Sequence, residues 1–291
     1  MENITIKASD GLELSCIYSK VSNPKAVIQI IHGMVEHKER YKYLIDNLNQ
    51  NGYSVIISDL RGHGTSINDE YSHGRIGSID LMVSDQYEVT KFIKNDNPDK
   101  DLYIFAHSMG TLIARCYIKS HDQEIKKLIL SGTVAYKPFC GIAVSAAKRR
   151  SKGEKKNNYS KLLYAMSNNF STKEDISWIS YSKENIKNYS EDPLCGYKFT
   201  NFSNYVLFCM TKDLHNKKNK ANNPDLDILS LSGIDDRTTS YTKGVKDSVK
   251  WLNKRGYKNV SYKEYPNMKH EILNEDEKYK VIEDIIAFYN K

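Results

Sequence analysis

The sequence predicts an α/β chain: a mostly parallel eight-stranded sheet with helices on both faces and an inserted helical cap. Three features point there. Apolar runs of strand length alternate with stretches of helical periodicity, the order that builds a parallel sheet through right-handed crossovers. Several runs, such as Ala26-Val27-Ile28-Gln29-Ile30-Ile31, are apolar almost without alternation, as strands buried on both faces require. Between Val134 and about Asn223 the rhythm stops and the chain becomes richer in Lys, Asn and Ser. The expected division is a core of residues 1–133 and 224–291, interrupted by a helical cap over 134–223.

Ile4 to Lys7 and Leu12 to Tyr18 alternate apolar and polar residues about Ser9-Asp10-Gly11, which reads as an antiparallel hairpin with one wet face. The strand ending at Ile31 runs into His32-Gly33-Met34-Val35-Glu36-His37. Tyr41, Leu44, Ile45 and Leu48 recur at helical spacing until Asn51-Gly52 stops that helix. Ser54 to Ser58 forms the next strand and leads into Asp59-Leu60-Arg61-Gly62-His63-Gly64. Ser78 to Asn95 has the length and composition of a helix, with Pro98 just beyond it. Leu102 to Ala106 reads as a strand, Thr111 to Tyr117 as a helix, and Lys127 to Gly132 as a further strand. After the cap, Ile228 to Leu231 is a strand, and Val245, Val249 and Leu252 mark a helix stopped by Gly256. Val260 to Tyr265 is the last strand, and Val281, Ile282, Ile285 and Ile286 form one face of a terminal helix.

Composition removes several function classes. No run approaches the roughly 20 apolar residues that span a bilayer, and the N-terminus lacks a basic stretch followed by an apolar core. Cys16, Cys116, Cys140, Cys195 and Cys209 are scattered and without CxxC spacing, the pattern of reduced thiols in a cytoplasmic protein. The net charge of +7 comes with no nucleic-acid-binding motif, so no nucleic-acid partner is expected. Neither H-E-x-x-H nor a comparable cluster occurs, so no metal or other cofactor is expected.

Ser108 lies between a strand and a helix, flanked two residues away by Ala106 and Gly110. That is the pattern of a nucleophile elbow, whose strained serine needs small neighbours so that strand and helix can pass closely. A serine capping an ordinary helix would give the same local pattern, so its partners decide. A serine hydroxyl needs a base, and the base needs an orienting acid. In a doubly wound sheet both belong on loops at the carboxyl ends of strands. Two later loops qualify: one carries Asp235 and Asp236, the other His270. The oxyanion donors expected from the elbow are the N–H groups of Met109 and, on the loop after an earlier strand, Met34. Among the other histidines, His107 should point away from the hydroxyl, and His32, His37 and His63 read as structural hydrogen-bonding groups. His121 and His215 read as solvated.

His-Gly-Met-Val-Glu-His (32–37) with Arg40-Tyr41, Asp-Leu-Arg-Gly-His-Gly (59–64) and Ala-His-Ser-Met-Gly (106–110) resemble the lysophospholipase and monoacylglycerol lipase branch of the α/β-hydrolases. That branch overlaps in sequence with the serine aminopeptidase family. Asp192-Pro-Leu-Cys-Gly, Ser232-Gly-Ile-Asp-Asp and Lys269-His-Glu-Ile-Leu-Asn-Glu look like the version found in bacterial members. The resemblance spans nearly the whole chain and is weakest in the cap. It implies Ser108 as nucleophile, His270 as base and Asp236, three residues after Gly233, as acid, with Met34 and Met109 at the oxyanion positions. The implied function is hydrolysis of carboxylic esters of monoacyl lipids through an acyl-enzyme on Ser108. A peptidase or thioesterase on the same triad, or a silent binding protein with this fold, is the alternative. Gly141 to Ala147 followed by Lys148-Arg149-Arg150 reads as a cap helix end with solvated charge or, as the alternative, as an apolar lid element whose basic edge touches lipid surfaces transiently. Three departures stand out: Ala106 for the commoner Gly, and Arg237-Thr238 where many relatives have Pro and Val, neither expected to touch the chemistry. The third is Trp178-Ile179-Ser180-Tyr181, which lacks an expected acidic residue at its end.

Overall fold

The N-terminal hairpin is β1 (Glu2–Lys7) and β2 (Glu13–Ser19), paired antiparallel. The structure, a computed structural model, describes residues 1–167 and 176–291. β3 (Val27–Ile31) is buried at every position, and its one polar residue, Gln29, bonds Gln86 and Thr90, so both ends of its own amide are satisfied. α1 (Lys42–Gln50) follows, then β4 (Ser54–Ser58). α2 (Ile79–Asp96) starts one residue later than the periodicity suggests, because Ser78 is its cap. The Ser78 hydroxyl accepts from the Leu81 amide at 3.2 Å, a contact worth about 1 kcal/mol.

The chain continues through β5 (Leu102–His107), α3 (Met109–His121) and β6 (Lys127–Ser131). Between β6 and the next strand stand α4 (Cys140–Arg150), α5 (Lys161–Ser167), α6 (Lys183–Glu191) and α7 (Asn201–Asp213). β7 (Asp227–Gly233), α8 (Tyr241–Arg255), β8 (Val260–Tyr265) and α9 (Lys278–Tyr289) complete the chain.

The described residues form one eight-stranded sheet in the order β1-β2-β4-β3-β5-β6-β7-β8. β1 and β2 are antiparallel to their neighbours, and every pair from β4 to β8 is parallel. One face packs on α2 and α3 through Val89, Ile93, Leu112 and Ile113; the other packs on α1 and α9 through Leu44, Leu48, Val281 and Ile285. Each fully buried aliphatic side chain of this kind contributes about 1.5–3 kcal/mol before chain entropy is counted. Because β3, β5, β6, β7 and β8 are parallel, the loops at their carboxyl ends share one edge of the sheet.

We propose that residues 134–223 act as a cap. The eight residues 168–175 of that interval lie outside the described residues. The segment is not hung on two hinges: Val206, Leu207 and Met210 of α7 join the main apolar cluster beside α3. The acidic residue missing from 178–181 is supplied by the other end of the chain. Glu275 accepts from Ser180 Oγ at 2.8 Å, from the Tyr181 amide at 2.9 Å and from the Ser182 amide at 3.2 Å.

Candidate active site

Ser108 occupies the turn between β5 and α3 with φ 51° and ψ −120°, a region that side-chain-bearing residues rarely adopt. Its hydroxyl caps nothing in α3, which removes the ordinary helix-cap reading. A Cβ on Gly110 would collide with the carbonyl oxygen of Ile31, so the helix can pass β3 this closely only with glycine there.

Two partners come from later strand ends. His270 Nδ1 lies 2.9 Å from Asp236 Oδ2 and its Nε2 lies 2.8 Å from Ser108 Oγ. A carboxylate can only accept, so Nδ1–H donates to Asp236 and Nε2 is left to accept from the serine hydroxyl. The second Asp236 oxygen accepts from the Thr238 amide at 2.7 Å, which fixes the carboxylate. Asp235 is exposed and accepts from Tyr181 Oη at 3.1 Å instead. The β7 and β8 loops meet closely because Gly233 has no side chain: a Cβ there would strike the Met268 and Lys269 carbonyls.

The electrostatics follow from burial and charge. Burial opposes the imidazolium of His270, yet the Asp236 carboxylate, with Glu271 and Glu36 behind it, outweighs burial and holds the pKa above its ordinary value. His107 makes no hydrogen bond to Ser108; its ring lies 4.9 Å from that of His270. Burial, with His270 beside it, pushes its pKa down to about 4, so it is neutral at ordinary pH.

Met34 and Met109 face the same space as Ser108, lining one cavity with it. Neither backbone amide donates to another backbone group among the described residues. The loop carrying Met34 is held by a buried network that the sequence reading passed over. Glu36 Oε2 accepts from Arg40 at 2.9 Å, and its Oε1 accepts from Tyr41 Oη at 2.9 Å and from the Gly33 amide at 2.5 Å. Arg40 also grips both oxygens of Glu271, at 2.9 and 2.7 Å. Burial works against both carboxylates, but Arg40 with the neighbouring His107 and His32 keeps Glu36 below the usual range, and Arg40 with Asn185 and His107 keeps Glu271 at about 2. The i, i+4 spacing of Glu36 and Arg40, and the place of Arg40-Tyr41 beside the 32–37 motif, are the signals the sequence carries for it.

His32 bonds the Gly33 carbonyl and the Leu60 amide, and His63 bonds the Arg61 carbonyl. His37 joins Glu39 to Asp192 of the inserted segment, its Nε2 2.7 Å from the Asp192 carboxylate. Two expectations change. His121 stacks on Tyr87 with centroids 4.1 Å apart, and His215 is sandwiched between Tyr136 and Trp251 and bonded to Asp247. Aromatic neighbours distant in sequence cover both rings.

Ser108 opens onto a cavity of about 480 Å³, mostly apolar, with Phe139, Ala143, Leu207 and Phe208 on its wall. A second cavity of about 430 Å³ shares Met34 and Trp178 with it and carries Glu191 and Asp192. Trp178 lies over His270, and Arg237 lies over Trp178. Thr238 lines the larger cavity. Of the pair, Thr238 thus borders this cavity and Arg237 stands behind Trp178.

A family sequence profile described as "Serine aminopeptidase, S33" matches residues 22–277. The chain is 28% identical over 276 residues to Phospholipase YtpA of Bacillus subtilis, covering 92% of this chain and 96% of that protein. It is 24% identical over 278 residues to the monoacylglycerol lipase of Mycolicibacterium smegmatis, covering 94% and 90%. The crystal structure of a highly thermostable carboxyl esterase from Bacillus coagulans superposes with a TM-score of 0.87 at 26% identity, covering 99% of this chain and 97% of that one.

Proposed function

The chain belongs to the serine aminopeptidase S33 family and has the α/β-hydrolase fold, and from that premise we propose that it hydrolyses carboxylic esters of monoacyl lipids. The observation that carries this reading is the chain of contacts Ser108–His270–Asp236 opening onto an apolar cavity of about 480 Å³. Ser108 Oγ attacks the ester carbonyl as His270 Nε2 takes its proton, and Asp236 holds the ring and stabilises its charge. The amides of Met34 and Met109 receive the oxyanion. His270 then protonates the departing alkoxide, and water releases the acyl group by the same route in reverse.

The acyl chain lies against Phe139, Ala143, Leu207 and Phe208. Phe139 and Ile142 are 76% and 66% exposed at the start of α4, whose last turn carries Lys148, Arg149 and Arg150. We assign this edge to transient contact with a lipid surface. Among the described residues no helix is long and apolar enough to cross a membrane. The five cysteines are free thiols, which fits a reducing, cytoplasmic setting.

The test is labelling by a fluorophosphonate probe together with turnover of 4-nitrophenyl esters and monoacylglycerols. Wild type is expected to label and turn over, and Ser108→Ala to do neither. Equal labelling of the two proteins would overturn the assignment.

A further inference from the structure

Away from the triad, His37, Asp192 and Cys195 bring a nitrogen, an oxygen and a sulfur together, with these ligand atoms all within 4.8 Å of one another. Among the described residues no other group of His, Cys, Asp and Glu side chains gathers in this way. Sequence spacing hides it, since His37 and Asp192 stand 155 residues apart. His37 ends the loop that carries Met34, whereas Asp192 and Cys195 share a turn of the inserted segment, closed by the Cys195 amide donating to the Asp192 carbonyl at 3.1 Å. That turn is fixed to the loop: the Gly196 amide donates to the Val35 carbonyl at 3.0 Å.

Each member is oriented as a ligand. His37 Nδ1 is held by the Glu39 carboxylate, the kind of outer partner that fixes the tautomer of a metal-bound histidine. With Nδ1–H given to Glu39, the neutral ring presents an Nε2 lone pair 2.7 Å from Asp192 Oδ2. Two acceptors stay that close only with a proton or a metal ion between them. Asp192 Oδ1 accepts from the Leu194 amide at 2.8 Å, which aims Oδ2 at the ring. Cys195 is a free, half-buried thiol, and it lines the cavity of about 430 Å³ together with Asp192 and Glu191, so the group is reached through a negatively charged opening. Arg40 does not compete for these groups, because Glu36 and Glu271 take up its guanidinium.

We propose that His37, Asp192 and Cys195 bind a zinc ion through Nε2, Oδ2 and Sγ, with water from the cavity at a fourth position. A mixed nitrogen, oxygen and sulfur set favours zinc over magnesium and calcium, which take oxygen ligands. Zinc holds its ligands roughly 3.3–3.7 Å apart, so the three side chains move by about 1 Å to close on it. The Cys195 thiol releases its proton to solvent as the Zn–S bond forms. The ion ties the inserted segment to the loop that carries Met34, at the opening of a cavity that shares Met34 and Trp178 with that of Ser108.

The experiment treats the full chain with a chelator, desalts it and titrates it with zinc chloride against a fluorescent zinc indicator. Wild type is expected to take up one equivalent in competition with the indicator. Cys195→Ser and His37→Gln are each expected to weaken binding by more than the roughly tenfold to hundredfold that losing an outer partner costs, and Glu39→Gln to weaken it about tenfold. Cys209→Ser, which changes the other half-buried thiol, is expected to bind as wild type does. With cobalt(II) in place of zinc, wild type is expected to show a sulfur-to-cobalt charge-transfer band that Cys195→Ser lacks. Melting curves without metal establish that each variant is folded, and zinc is expected to raise the melting temperature of wild type more than that of Cys195→Ser. Tight binding unmoved by Cys195→Ser or by His37→Gln, or uptake only at millimolar zinc, overturns the site. None of these readouts uses ester turnover, so such a result leaves the hydrolase reading standing.

Discussion

Trp178 lies across His270, with ring centroids 5.3 Å apart and planes inclined by 37°. The segment inserted between β6 and β7 thereby covers the imidazole that links Ser108 to Asp236. Arg237 holds the indole from another side. Trp178→Ala is expected to reduce kcat/KM for 4-nitrophenyl butyrate about fivefold, the order of one stacking or cation–π contact. Unchanged kinetics would mean that the indole only fills space.

Asp235 and Asp236 offer a control that needs no other protein. Asp236→Asn leaves His270 without an acceptor for Nδ1–H and is expected to lower kcat by about 10³–10⁴. Asp235→Asn loses only a contact with exposed Tyr181 and is expected to stay within about threefold of wild type. Steady-state rates on one ester decide it, and the reverse ranking would move the acid to Asp235.

The pH dependence of rate and of stability should run in opposite directions. Burial lowers the pKa of His270, and Asp236 together with Glu271 and Glu36 raises it by more, so the folded value stands above the ordinary one of about 6.5. His37 behaves alike: burial is outweighed by Glu39 and Asp192. The base must be neutral to act, so kcat/KM is expected to rise as pH climbs through the raised pKa. Protonation favours the fold for both groups. Their stabilisation is fully present below about 6.5 and is lost as pH rises through the folded values. Melting temperature measured across that window should fall as activity rises, with a shallower fall in His37→Gln.

Arg40 compensates two buried carboxylates at once. Arg40→Met leaves Glu36 and Glu271 uncompensated and is expected to cost about 3–5 kcal/mol in denaturant unfolding. Adding Glu36→Gln and Glu271→Gln should restore part of it. A loss below about 1 kcal/mol would show the network to be of little energetic weight.

Phe139 and Ile142 provide the test of lipid-surface contact. Phe139→Glu is expected to weaken sedimentation with anionic vesicles about tenfold or more, since burying a carboxylate at an interface is strongly unfavourable. Equal sedimentation of both proteins would remove α4 from the surface.

By itself the sequence determined the order of strands and helices and put Ser108, Asp236 and His270 on strand-end loops. These are local matters: apolar runs declare buried strands, and parallel strands bring their carboxyl-end loops to one edge. It also narrowed the acid to two neighbours. The tertiary structure decided what no local pattern encodes. Glu275 binds Ser180, 95 residues away, and Arg40 grips Glu271 across 231. Trp178 covers His270, and Thr238 borders the cavity. In each case ordinary residue types acquire their role from burial and from a partner far along the chain. Those two quantities arise only when the chain has folded.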